Sequence, residues 1–379
     1  MPVATRSRSK NKDLQEAPPP AEVEQLSSSD DSEDDVDATA AAMGLRQRKP
    51  KIKSNPTKPT TRPFQPTSEF TLARWMEFLV GGTIFVAALP LVTLQILCST
   101  AWEFVDQHTI RLMDRCTRFN RWTGPHQEWL VVHPKDSFVV NTTVWLGGIL
   151  PAYFVWEALA QSSDGFVWWR AALYNIVRIG PMYRNFMYVY VLCHKEAHCF
   201  GRVFAPPYAS VLQYVYNYYI GFFHGVLPGP FTQSHIYNHH KYDNARDDVY
   251  STGAFPRDSF FYFLRYIYVW FLYALNLSTM AQFHREGKTK RLVKTVLSTL
   301  WFLTMVGAVW YCCGGLFVSV YVLYPVVEGN ILLAMVNYTW HAFIDPNDHD
   351  NDYVNSVTIL DGLNFCLSEE YHVVHHQVR

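Results

Sequence analysis

The chain has 379 residues, enough for one large domain or two ordinary ones, and 32 Lys and Arg against 33 Asp and Glu leave a formal charge of −1. That balance gives no electrostatic reason to expect a nucleic-acid partner. The seven cysteines form no CxxC pair, so neither a disulfide framework nor a zinc ribbon is suggested.

The sequence divides into two unlike parts. Residues 1–68 read as a disordered polar tail, and 69–379 as the folded domain. The run SSSDDSEDDVD (27–37) is too charged to bury a core. Arg46, Arg48, Lys49, Lys51, Lys53, Lys58 and Arg62 follow, interleaved with prolines, and suit a cytosolic strip against anionic headgroups. The first 20 residues lack an apolar core, so internal segments are expected to carry membrane insertion.

Six apolar stretches come next, at 75–102, 138–160, 166–193, 208–231, 259–281 and 295–343, several of them bilayer length. The predicted fold class is an all-α multi-pass membrane protein with about four spans in two hairpins, plus interfacial helices. The first hairpin is 138–160 with 166–193, joined by QSSDG. Its returning arm carries Arg170, Arg178, Arg184 and Gly180-Pro181, so its arginines are expected to face protein or to snorkel. The second hairpin is 295–311 with 316–343, divided at CCGG (312–315). The segment QFHREGKTKRLVK (282–294) before it is rich in Lys and Arg and is expected on the cytosolic side. The stretches 75–102, 208–231 and 259–281 either span or lie in the interface.

Eight of the fifteen histidines fall in three compact boxes. HKEAH supplies His194 and His198, HIYNHH supplies His235, His239 and His240, and HVVHH supplies His372, His375 and His376. Each box holds a pair three or four residues apart, which shares a face on an α-helix. A structural zinc takes four ligands and a catalytic zinc three, so eight imidazoles are too many for one ion and fit two first-row metals. Neutral ligands leave such a pair strongly cationic, able to bind and cleave O2 when fed two electrons. Glu196 sits at i+2 from His194 and should point to the opposite face, so it is not expected to ligate. Glu369 precedes His372 by three residues and is a candidate acceptor for an imidazole N–H. Asp243, Asp247 and Asp248 could serve the second box likewise, or form a solvated cluster. His108, His126, His133, His224 and His284 read as structural or surface residues, and His349 lies in an acidic run that lacks the glycine and distal glutamate of an EF-hand.

The three boxes, in this order and separated by hydrophobic hairpins, resemble the membrane fatty acid desaturase superfamily over roughly residues 135–379. The resemblance implies a helical membrane fold with a cytosolic, histidine-rich di-iron cap. It implies two Fe ions, O2 as co-substrate, and a membrane lipid or acyl-CoA as substrate. The implied reductant is a cytochrome-b5-type carrier or a ferredoxin, expected to be a separate protein because no HPGG-type haem motif occurs. The expected reaction is insertion of a double bond into a fatty-acyl chain, with endoplasmic reticulum the default location. A lipid or alkane hydroxylase on the same scaffold is the alternative. A non-enzymatic membrane metal carrier is a third reading, disfavoured because the boxes lie beyond the apolar runs.

Asn337 and His341, in NYTWH, share an i,i+4 face where the last hairpin should re-emerge. His341 is therefore expected as a ninth metal-binding histidine, with Asn337 reaching the irons directly or through a water. The resemblance supports this, since relatives carry an additional His there with an Asn one turn earlier. The alternative is an interfacial His341 and a helix-packing Asn337.

Overall fold

The structure is a computed structural model that describes residues 71–242, 244, 247–343 and 356–358, all in the unit Gln47–Arg379. The third box, Glu369, Asp243, His349 and the polar tail lie outside the described residues. The described residues are overwhelmingly helical and contain no strand; an antiparallel bridge of Val131 with Phe204 is isolated.

Helix α1, Leu72–Val105, runs through a π-turn to Ile110. It is predominantly apolar, and Pro90 sits within it, as membrane helices tolerate. The helix α2 (Leu112–Gln127) is polar, and buried Asp106 caps it by accepting the Leu112 and Met113 N–H groups. Next come α3, Phe138–Val144, a π-turn at Trp145–Ile149, and α4, Leu150–Asp164, which form one apolar rod from Pro134 to Gln161. Helices α5 (Trp168–Ile179) and α6 (Arg184–His198) follow. Helix α7, Phe260–Ala274, meets α8, Leu277–Arg285, at a 70° bend where Asn276 takes a left-handed conformation (φ 63°). Helix α9, Thr289–Val318, leads through a π-turn into α10, Tyr324–Trp340.

Among the described residues, three stretches are long and apolar enough to cross a bilayer: Leu72–Ile110, Pro134–Gln161 and Thr289–Trp340. The α7–α8 pair makes a fourth if it counts as one broken span. The chain is thus an all-α multi-pass membrane protein. The last stretch is 52 residues, roughly 80 Å if it were one straight helix, far more than a bilayer needs. Gly314 breaks it (φ 80°, ψ 169°), inside the CCGG segment expected to divide the hairpin. Phe302 before the break and Phe317 and Tyr321 after it pack into one cluster with Phe154 and Phe222.

The 166–193 arm departs from a simple span. Gly180, Met182 and Tyr183 all have positive φ, which cuts the arm into helices of 12 and 15 residues. Side chains of α1 satisfy the backbone opened by the break: Ser99 Oγ donates to the Gly180 carbonyl (2.7 Å) and accepts the Tyr183 N–H (2.8 Å). Gln95 similarly donates to the Asn175 carbonyl (3.0 Å). All three arginines of this arm were expected to face protein or to snorkel, and two of them, Arg170 and Arg178, are buried against protein. Buried Arg178 pairs with buried Glu328 of α10, which also accepts from the Tyr183 hydroxyl (2.8 Å). Arg170 lies 3.3 Å from Glu157 and over the Trp156 ring. The 208–231 stretch is also no span, because it is built of short pieces such as Tyr216–Ile220 and Gly221–His224.

Helices α1 and α7 approach closely at Gly81, where a Cβ would stand 2.0 Å from the Leu264 carbonyl oxygen. Glu77 and Arg265 pair beside this contact (2.5 Å), and Phe78 stacks on Phe261.

Candidate metal centre

Two elements build the site. The last turn of α6 presents His194 and His198 on one face, ring centres 4.8 Å apart. The second box lies on a π-helix, Pro230–His239, that runs directly into His240. A π-helix winds with i→i+5 bonds and more residues per turn than an α-helix, which brings residues five apart much nearer one face than an α-helix does. His235 and His240 therefore point together, with Nε2 atoms 2.9 Å apart, while His239 turns elsewhere.

The Nε2 atoms of His194, His198, His235 and His240 converge. His194 lies 2.6 Å from His235 and 3.1 Å from His198, and His240 lies 3.1 Å from His198. All four ligand atoms fall within 4.8 Å of one another. Imidazole lone pairs do not gather this way to satisfy one another, and a shared cation is the natural occupant of such a point. Burial, reinforced by the neighbouring histidines, holds the His235 pKa well below its ordinary value, which keeps the ring neutral and able to ligate. The donor set fits a first-row transition metal.

The opposite ring nitrogens are anchored. In the tautomer that turns the Nε2 lone pair to the cluster, His235 Nδ1–H donates to the Tyr250 hydroxyl (3.0 Å). His239 Nδ1–H donates to buried Asp248 (2.5 Å). Asp248 is itself fixed by the Asn244 and Tyr250 N–H groups, each 3.2 Å away. Asp247, by contrast, is exposed, and its backbone carbonyl holds Asn238 (3.2 Å). Of the described acids after the second box, Asp248 rather than Asp247 is thus brought to a histidine.

His341 follows α10 directly, is fully buried, and packs 5.2 Å from the His239 ring. Asn337 borders the same space, but its amide donates to the Tyr266 hydroxyl (2.6 Å). Glu196 points away from the cluster, into the protein. It accepts the Tyr216 N–H (3.2 Å), the Asn217 N–H (2.9 Å) and the Asn217 amide (2.8 Å), tying the first box to the 216–217 segment. Burial pushes its pKa up to about 7 against those bonds. His108, His126, His133 and His284 are exposed, whereas His224 is fully buried beside the packed Phe222 and Phe223.

An apolar cavity of about 130 Å³ opens against the histidines. His194, His235 and His239 form part of its wall, and Tyr190, Phe231, Trp270, Leu333, Asn337 and Trp340 are among the rest. Tyr250 and Trp270 carried no sequence signal. They reach the site through packing of α7, which no motif encodes.

A cluster of histidines able to hold a metal lies beside an apolar cavity, in a chain with helices long and apolar enough to cross a membrane. The sequence profile described as fatty acid desaturase matches residues 166–378, more than half the chain, and the protein belongs to that family. No curated protein and no solved structure shows significant similarity to the chain.

Proposed function

We propose that this protein is an O2-dependent di-iron desaturase that introduces a double bond into a fatty-acyl chain. The observation that carries the reading is the convergence of four Nε2 atoms against an apolar cavity in a chain of this family. His194, His198, His235 and His240 would hold one iron. His239 and His341, with His372, His375 and His376 of the third box, would hold the other, and Glu369 would steady His372.

Irons bound there would supply reductive activation of O2 and removal of hydrogen from a methylene. The net reaction takes one –CH2–CH2– unit, O2, two electrons and two protons to –CH=CH– and two waters. The residues of this chain do the rest. Tyr250 and Asp248 fix the ring orientations of His235 and His239, so these two rings would be held in place before substrate arrives. Phe231, Trp270, Leu333 and Trp340 line the cavity with hydrocarbon and aromatic surface, which excludes water and holds a methylene run near the histidines. The electrons would come from a cytochrome-b5-type carrier or a ferredoxin, and the substrate would be a membrane lipid or an acyl-CoA. The basic 282–294 segment and the histidine boxes would face the cytosol, with endoplasmic reticulum as the location.

Expression in a desaturase-deficient host tests the reaction. Lipidomics should show new double bonds in acyl chains, and these should vanish with His235→Ala. Hydroxylated chains with no new unsaturation would replace this reading with that of a hydroxylase.

A further inference from the structure

A second, larger hollow of about 420 Å³ lies on the Pro134–Gln161 span, and it shares no lining residue with the cavity at the histidines. On one side it is walled by Val144, Gly147 and Gly148, and on the other by Leu212, Val215 and Tyr219. At Gly147 the two walls close together, since a Cβ there would stand 3.1 Å from the Ile220 side chain. A Cβ at Gly148 would meet no atom within 4 Å, so the space beside it is open. Val144 and Tyr219 line the trough and are also exposed, so it opens on the outer face of the protein. On a bilayer-spanning rod, that face meets acyl chains.

We propose that this groove holds one acyl chain of a bilayer glycerophospholipid. From Val140 to Gly148 the wall extends roughly 12 Å, a length that suits a chain segment rather than a compact ligand. One end is closed by Leu130 and Phe204, in the clip where Val131 bridges Phe204 and the Ala205 N–H bonds the Leu130 carbonyl (2.9 Å). Exposed Trp129 packs on Tyr208 at this end, the amphipathic pairing found at membrane interfaces. Exposed Lys135 stands five residues before Val140, about 8 Å along a helix axis, within reach of a phosphate whose chain occupies the trough. Separation from the histidine cavity distinguishes this groove from a substrate track, and its opening toward the bilayer favours a two-chain lipid over a free fatty acid.

The full chain is reconstituted in phosphatidylcholine nanodiscs containing a trace of phosphatidylcholine with a diazirine on its acyl chain. After photolysis, adducts are mapped by peptide mass spectrometry. Labelling at Val144, Leu212 and Tyr219 should exceed labelling at Leu159, an exposed residue of the same span, by at least about fivefold. Gly148→Trp should bring it down to the Leu159 level without changing Leu159 labelling or bound iron. Native mass spectrometry of the detergent-purified wild-type chain should retain one phospholipid. Equal labelling at all exposed positions would mean annular contact only and would overturn the proposal. So would cross-links to a second copy of the chain, efficient labelling by a diazirine fatty acid but not by the phospholipid, or loss of all lipid from the wild-type chain. None of these readouts depends on desaturation, so the groove and the catalytic reading can fail independently.

Discussion

His235 is the hub of the cluster, since its Nε2 lies within 3.3 Å of those of His194, His198 and His240. Replacing it with Ala should remove bound metal from that point and abolish turnover, checked by metal analysis and product formation. Asp248→Ala removes the acceptor that orients His239 and should cost ~10–100-fold in metal affinity or activity. Full iron loading and wild-type turnover in that variant would show that His239 is positioned by packing alone. His341→Ala should lower iron content and abolish activity, whereas Asn337→Ala should cost less, because its amide is already committed to Tyr266. The approach of the first two boxes to each other was legible in the sequence, as was the aim of Glu196 away from them. Which acid after the second box meets a histidine was not, because Asp247 and Asp248 are neighbours and only the chain path decides which one is buried.

At the scale of elements, local winding decides the site. The spacing in HIYNHH pointed to an i,i+4 pair, yet the π-helix aligns His235 with His240 and frees His239 for Asp248 and His341. Nothing in the composition of that segment marks a π-helix, so this register was not readable in advance. The break in the 166–193 arm was partly readable from Gly180-Pro181 and its arginines. Its partners Ser99, Gln95 and Glu328 are distant in sequence and became visible only with the packing. Glu328→Ala leaves the Arg178 guanidinium buried without its carboxylate, and should destabilise the protein by about 3–5 kcal/mol. A clear drop in unfolding midpoint in detergent would register this. Arg178→Met combined with Glu328→Leu should recover much of the loss, and a midpoint unchanged by Glu328→Ala would show that the pair contributes little. Gly81→Leu should likewise separate α1 from α7 and lower the midpoint, because the Leu264 backbone occupies the space a side chain would need.

For the whole molecule, hydropathy was enough to give the membrane class and the division at CCGG, since bilayer length and a glycine break are properties of the chain itself. It overstated continuity at 166–193 and 208–231, where the apolar residues fall on short helices separated by breaks. Span counting by apolarity does not separate these cases, because burial in protein and burial in lipid select the same side chains. The outcome is a helical membrane protein that brings a cluster of imidazoles to the wall of an apolar cavity, and the central claim is that two irons bind there. Metal analysis of the purified full-length chain, by mass spectrometry of the elements against protein concentration, tests this most directly. The account predicts close to two irons per chain; a single zinc with no iron would contradict it.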